Sequence, residues 1–255
     1  MPFPKPFDLT GRAALVTGGS KGLGEAMARG LAEAGADVVI SSRHEGELKA
    51  ALEEILAGTG RRGHYVVADM AKRADVQRLA DEAVRRLGKV DILVNNAGSN
   101  TPQPIDQITD EAWDNLLELN LTSVMALTRA LVPGMKERRW GRVIHISSIM
   151  AFIAKEGRTA YCATKAALVG MARPGALELG PFGVTVNCIA PGPFLTDLPL
   201  KLLSQAERDE WSKVTALGRW GDPKELVGPV LLLASDAGSY ITGQTLIVDG
   251  GYLSR

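Results

Sequence analysis

Short apolar runs rich in β-branched residues alternate along this 255-residue chain with longer segments whose apolar positions recur at helical spacing. Ala13–Thr17, Val38–Ser42, His64–Ala68, Ile92–Val94, Val143–Ser147, Val184–Ile189 and Leu246–Val248 read as strands. Gly22–Ala34, Glu45–Leu56, Arg73–Leu87, Asp110–Arg138, Tyr161–Leu179 and Pro223–Ala234 read as helices, several opening near Asp, Ser or Pro and ending near Gly. Strands separated by helical segments predict parallel pairing through crossovers. Runs such as Ala14-Leu15-Val16 and Val38-Val39-Ile40 lack polar alternation, as strands covered on both faces should. The expectation is an α/β fold: a doubly wound parallel sheet of about seven strands with helices on both faces, in one domain over residues 1–255.

Two places depart from this rhythm. Residues 193–221 are longer than a plain crossover needs and carry a helical pattern around Leu198–Trp211, which marks them as a lid insertion over a substrate. Ala172-Arg173-Pro174-Gly175 sets a proline inside a helical pattern, where it removes a hydrogen bond and crowds the carbonyl four residues back. A kink or local widening is expected near Gly170–Pro174.

Composition narrows the partners. Lys plus Arg equals Asp plus Glu at 29 each, so no net field draws a nucleic acid or an anionic membrane surface, and a small molecule fits better. The opening Met-Pro-Phe-Pro-Lys-Pro-Phe has no apolar core of a signal peptide, and no run approaches the ~20 apolar residues of a membrane span. A soluble, cytoplasmic protein is expected. Cys162, Cys188, His44, His64 and His145 are scattered, which argues against a disulfide framework or a metal site. His145, inside the apolar Val143-Ile144-His145-Ile146 strand, reads as a satisfied core residue, and Cys162 as a small apolar group.

Candidate chemistry gathers where the strands end. Behind the first strand, Thr17-Gly18-Gly19-Ser20-Lys21-Gly22-Leu23-Gly24 leads into a helix, and such a turn lets backbone N–H groups and the helix dipole approach a pyrophosphate. Its Gly-x-x-x-Gly-x-Gly spacing differs from Gly-x-Gly-x-x-Gly, and a plain tight turn would use the same residues. Asp69 closes the third strand and Asn95-Asn96-Ala97-Gly98 the fourth, and ligands of open parallel sheets bind beyond such carboxyl ends. Ser148 is followed by Tyr161 and, one helical turn later, by Lys165. A free tyrosine titrates near ~10, too high for easy proton exchange, and a nearby ammonium favours the phenolate, so Lys165 can make Tyr161 an acid/base. Ser148 could hydrogen-bond the oxygen on which charge develops.

In chain order these features resemble the short-chain dehydrogenase/reductase family in its compact form. The residues that carry the resemblance run nearly end to end: Thr17-Gly18-x-x-x-Gly22-x-Gly24, Asp69, Asn95-Asn96-Ala97-Gly98, Asn120, Ser148, Tyr161-x-x-x-Lys165, Pro191-Gly192 and Asp249-Gly250-Gly251. The resemblance implies a Rossmann-like fold and an NAD(P)-dependent oxidoreductase that interconverts a secondary alcohol and a ketone by hydride transfer. It implies that Gly18, Gly22 and Gly24 line the pyrophosphate, that Asp69 meets the adenine, that Asn96, Ala97 and Gly98 back the adenosine ribose, and that Ser20, Leu23 and Met70 also bind the cofactor. Pro191, Gly192 and Thr196 would approach the nicotinamide carboxamide, Lys165 would also hold its ribose beside Tyr161, and Asn120 would anchor a water that relays protons. A homotetramer or dimer is implied, with helices near Pro174 in the pairing.

The second strand continues as Val38-Val39-Ile40-Ser41-Ser42-Arg43, with no acidic residue to bind a ribose 2′-hydroxyl. Arg43 can fork onto a 2′-phosphate and Lys21 reach the same group, as in resembling NADP-preferring members, so NADP(H) is expected over NAD(H). Ala216-Leu217-Gly218-Arg219-Trp220-Gly221 and the segment after it look most like the gluconate 5-dehydrogenase-like members, with 3-oxoacyl-thioester reductases and broad ketoreductases close behind. A nucleotide-sensing regulator is the alternative outside enzymes, and it predicts a degraded Tyr/Lys pair that this chain does not have.

Overall fold

A computed structural model describes residues 4–196 and 203–254. Seven strands form one sheet: β1 (Ala13–Thr17), β2 (Asp37–Ser42), β3 (Gly63–Val67), β4 (Ile92–Asn95), β5 (Gly141–Ile146), β6 (Val184–Pro191) and β7 (Thr245–Val248). They lie in the order β3-β2-β1-β4-β5-β6-β7, and every neighbouring pair is parallel. The doubly wound, Rossmann-like expectation therefore holds. The chain starts in the middle, winds outward through β2 and β3, then returns to lay β4 against the other side of β1, and this reversal opens a crevice at the carboxyl ends of β1 and β4.

Alternation along each strand feeds two separate cores. Ala14, Val16, Val38 and Ile40 face Met27 and Leu31 of α1 (Gly22–Glu33), Leu48 of α2 (Glu45–Leu56) and Val230 of the late helix Val227–Ala234. Leu15, Val39 and Leu93 face the opposite layer, Leu79 of α3 (Arg73–Leu87), Leu127 and Leu131 of α5 (Ser123–Arg138) and Ala172 of α6 (Thr159–Leu179). Each fully buried Leu, Val or Ile stabilises by about 1.5–3 kcal/mol. That double burial is why the strands could be read as unbroken apolar runs.

The expected helix Asp110–Arg138 forms with one interruption. α4 (Asp110–Leu117), capped by the Thr109 hydroxyl, is followed by a π-helical turn over Glu118–Thr122 before α5 begins. The widening expected at Gly170–Pro174 does not occur, because α6 runs as α-helix from Thr159 to Leu179 with Pro174 inside it. Gly170 and Pro174 are both exposed, so the Gly170 carbonyl, which loses its donor, lies on the solvent side of the helix.

The insertion at 193–221 is pinned at its ends, where Phe194 pairs with Gly221 and Leu195 N–H donates to the Gly221 carbonyl. Its helix α7 (Gln205–Val214) opens on a capping box between Ser204 and Glu207. It starts later than the pattern Leu198–Trp211, of which residues 198–202 lie outside the described residues. The segment read as Pro223–Ala234 begins as a 3₁₀ turn (Pro223–Leu226) and continues as α8 (Val227–Ala234). Among the described residues, no helix is long and apolar enough to cross a membrane.

His145 is buried in β5, where Asn95 Nδ2 lies 3.1 Å from its Nδ1 and so makes that nitrogen the acceptor of a neutral ring. Burial, helped by the Lys165 charge, pushes its pKa down to about 4. The folded value lies below the unfolded one, so its contribution is complete above the unfolded pKa and is lost as pH falls through the folded pKa. Between pH ~6.5 and ~4, acidification should therefore cost about 3 kcal/mol through this one residue. Urea titrations across that window should show a correspondingly smaller loss in His145→Asn, and equal losses would exclude His145 as the buried acid-sensitive group.

Candidate active site

At the crevice, the Thr17 hydroxyl accepts the Asn96 and Ala97 amides at 3.0 and 2.9 Å and lies 3.5 Å from the Val94 carbonyl. Asn96 answers by donating its side-chain amide to the Thr17 and Gly18 carbonyls at 2.8 and 3.1 Å. These bonds tie the end of β1 to the end of β4. They also set the glycine turn so close to its own helix that a Cβ at Gly24 would stand 2.1 Å from the Gly18 carbonyl oxygen. Gly18 has φ +63° and Gly22 φ +59°, conformations that disfavour a side chain, and Thr196 sits over Gly22. The bare backbone that a pyrophosphate needs is present here.

The candidate reacting residues come from two elements. Ser148 follows β5 and caps a 3₁₀ turn, its Oγ accepting the Met150 amide at 3.1 Å. Tyr161 and Lys165 share one face of α6, with Lys165 Nζ 5.6 Å from the centre of the Tyr161 ring. Lys165 Nζ donates to the Ile146 carbonyl at 2.8 Å, and burial pushes its pKa down to about 8. Burial raises the Tyr161 phenol above its ordinary value, while hydrogen bonding with Ser148 and the positive charge of Arg158 act the other way. Arg158, which sequence reasoning passed over, thus adds a positive charge felt at the phenol, and Lys165, close to the same ring, is also bonded to the end of β5.

Asn120 stands behind this group, fully buried in the π-helical turn. Its Oδ1 accepts the Ser99 amide at 3.0 Å, and its Nδ2 donates to the Ser99 carbonyl at 2.9 Å and to Thr164 Oγ1 at 3.2 Å. A Cβ at Gly98 would meet Asn120 Oδ1 at 3.2 Å and Lys165 Nζ at 3.4 Å, so glycine lets the asparagine, the lysine and the β4 loop converge.

A cavity of about 510 Å³ runs through the crevice, within the range of small-molecule sites. Every residue that the sequence assigned to the cofactor lines it, as do Ser148, Tyr161 and Lys165, whereas Asn120 lies behind its wall. At one end Arg43 is exposed, with no ion pair or hydrogen bond among the described residues, while Lys21 reaches Glu47 at 3.4 Å. Burial would raise the Glu47 carboxyl, but the Lys21 charge and hydrogen bonds from Lys21 and Ser20 outweigh it and hold it below its ordinary value. At the other end Met150, Lys155, Arg158, Leu203, Trp211 and Trp220 line the wall. Sequence reading missed Glu47, Lys155 and Arg158. Glu47, in the first turn of α2, carried a signal that could have been weighed against Arg43, whereas nothing in local pattern marks the other two.

Residues 18–253 match the short-chain dehydrogenase family model described as enoyl-(acyl carrier protein) reductase. The chain is 36% identical over 252 residues to gluconate 5-dehydrogenase of Gluconobacter oxydans, covering 98% of each. It is 38% identical over 247 residues to 3-oxoacyl-[acyl-carrier-protein] reductase FabG of Haemophilus influenzae, covering 96% of this chain and 100% of that one. The crystal structure of a gluconate 5-dehydrogenase from Burkholderia cenocepacia in complex with NADP and tartrate superposes with a TM-score of 0.92 at 38% identity, over 98% of both chains. The chain belongs to the short-chain dehydrogenase/reductase family. It is an NAD(P)-dependent oxidoreductase.

Thr17→Val keeps the volume and removes the acceptor for two amides at a buried site. Each orphaned amide should cost about 1–3 kcal/mol, so chemical denaturation should show a loss of several kcal/mol together with weaker dinucleotide binding, and Thr17→Ser should recover both. A Thr17→Val protein as stable as the parent would show that the sheet reversal is held by something else.

Proposed function

We propose that this enzyme is an NADP(H)-preferring dehydrogenase/reductase that interconverts a secondary alcohol and a ketone on a small sugar acid, with Tyr161 as its acid/base. The observation that carries the reading is the convergence of Ser148, Tyr161 and Lys165 on one cavity wall opposite a bare glycine turn. When bound, the nicotinamide supplies or accepts the hydride. Tyr161 Oη delivers the proton to the carbonyl oxygen, or takes it in the reverse direction, and Ser148 Oγ holds that oxygen in line. Lys165 holds the nicotinamide ribose and keeps positive charge near the phenol. Asn120, clamped on Ser99 and Thr164, keeps the β4 loop and α6 at fixed separation and anchors the proton relay.

Gly18, Ser20, Gly22, Leu23 and Gly24 would hold the pyrophosphate, Asp69 and Met70 the adenine, Asn96 to Gly98 the adenosine ribose, and Pro191, Gly192 and Thr196 the carboxamide. Arg43, exposed at the carboxyl end of β2, supports the phosphate preference; three structural neighbours were solved with NADP and one with NADH. Glu47 opposes it by occupying Lys21. The sugar-acid reading rests on the gluconate 5-dehydrogenase relatives, and a 3-oxoacyl thioester is the second reading, supported by a relative at 38% identity against 36%. Insertion 193–221 acts as the lid of a single domain. We take the protein to be cytoplasmic and a homotetramer or dimer.

Tyr161→Phe deletes one hydroxyl, so turnover should fall by at least ~10²-fold while NADPH binding, followed by its fluorescence, stays close to the parent. Retained turnover would remove Tyr161 from the chemistry. For the cofactor, Arg43→Ala should lower the NADPH-over-NADH ratio of kcat/KM by roughly 10- to 100-fold, the cost of losing a charge-assisted pair. Glu47→Gln, which removes a carboxylate charge from beside Lys21, should raise the same ratio. An unchanged ratio in both, or a parent that favours NADH, would reject the NADP(H) assignment.

A further inference from the structure

Hydride and proton transfer as described assign no substrate contact to a cation at the substrate end of the cavity. Arg158 stands at the N-terminal boundary of α6, three residues before Tyr161, and its side chain makes no cap. It is half-buried and lines the cavity beside Ser148 and Tyr161. Among the described residues its guanidinium has neither a hydrogen bond nor an ion pair. Proteins rarely leave five donors in a partly desolvated cleft unanswered, because burying a charge costs free energy unless something pairs with it. Burial indeed depresses its pKa, and its charge is felt at the Tyr161 phenol.

Among the described residues, the neighbouring groups do not supply the missing partner. Lys155 lines the same wall, with Nζ 3.9 Å from Glu207 of α7 and 5.7 Å from the centre of the Trp211 ring, so the Glu207 carboxylate is drawn to Lys155. Glu156 is exposed and does not line the cavity. The other walls at this end, Met150, Leu203, Trp211 and Trp220, are apolar or aromatic and strengthen any electrostatic contact by excluding water.

We infer that Arg158 is the substrate-binding residue that receives a carboxylate of the substrate, one helical turn from the phenol that exchanges the proton. A guanidinium offers a planar fork matched to two carboxylate oxygens. Residues three apart on a helix have Cβ atoms about 5–6 Å apart, which suits a small acid whose carboxylate and reacting carbon are a few bonds from each other. Lys155, tethered to the lid through Glu207, would then sense the same anion from the other side. This inference rests on the hydroxy-acid reading of the site and names the group that reads the acid.

The test compares acids with their own neutral esters. NADPH oxidation is followed with 5-ketogluconate and acetoacetate, each against its methyl ester, in the parent, Arg158→Met and Arg158→Lys. Because Arg158 also acts on Tyr161, both members of a pair should slow in Arg158→Met, and the informative quantity is the acid-to-ester ratio of kcat/KM. That ratio should favour the acid in the parent, fall by roughly 10- to 100-fold in Arg158→Met, and be partly recovered by Arg158→Lys, which keeps charge without the fork. Calorimetric titration of tartrate into each NADPH-loaded protein gives a readout independent of turnover, and binding should weaken in Arg158→Met by a similar factor. A ratio unchanged by Arg158→Met, with esters reduced normally, overturns the carboxylate assignment and leaves the oxidoreductase reading standing. If neither acids nor esters are reduced, the reading of these substrates fails, and the tartrate titration still decides the inference: equal binding by parent and Arg158→Met overturns it.

Discussion

The working geometry of this enzyme depends on a single hydroxyl at the point where the sheet reverses. Thr17 ends β1, and the strand beside it, β4, is reached only after the chain has wound out through β2 and β3 and come back. Nothing in parallel pairing determines how the loops beyond those two strands sit. The Thr17 side chain does so by accepting two amides of the β4 loop, while Asn96 returns two bonds to the glycine turn. A buried acceptor serving two N–H groups is costly to lose and cheap to keep, since the groups are desolvated in any case. The turn is thereby held against α1 closely enough that only glycine fits at position 24.

A second clamp passes that rigidity on to the reacting residues, and it needs a defect in a helix. A regular helix through residues 110–138 would satisfy its backbone internally, but Asn120 has to use both ends of its amide on a loop and a neighbouring helix. The π-helical turn Glu118–Thr122 coincides with that residue. Such turns cost some backbone hydrogen-bond quality and tend to occur at functional sites. Here the three side-chain bonds of a fully buried asparagine offset the cost, and the bonded Thr164 lies next to Lys165. The face of α6 that carries Tyr161 and Lys165 is thus positioned from behind.

Strands and crossovers were legible because burial on both faces leaves no polar alternation to confuse, and the family because the order of its motifs in the chain is distinctive. What escaped depends on exposure or on contacts across the chain. Pro174 looked disruptive, yet its ring and the Gly170 carbonyl face the surface, and no periodicity reveals that the helix tolerates them. The π-helical turn follows from where Ser99 and Thr164 lie, not from the residues that form it. Spacing put Lys165 beside Tyr161, but it could not show that the same ammonium also reaches the Ile146 carbonyl. Arg158 and Glu47 stand within a turn of recognised residues and carry no motif of their own.

The two ends of the cavity solve the same electrostatic problem in the same way, although the chain as a whole carries no net charge. At the nucleotide end a lysine of the glycine turn is drawn to Glu47 in the first turn of α2, while Arg43 has no partner among the described residues. At the substrate end Lys155 is drawn to Glu207 in the first turn of α7, while Arg158 has none. Two unneutralised cations at each end would hold a polyanion firmly but also raise the cost of leaving both charges without ligand. A glutamate on each lysine reduces that repulsion and leaves one planar, permanently charged fork per end. A fork discriminates by geometry as well as by charge, whereas an ammonium discriminates by charge alone. Selectivity at both ends is therefore concentrated in an arginine, and each glutamate sets how much of the neighbouring lysine is available to add to it.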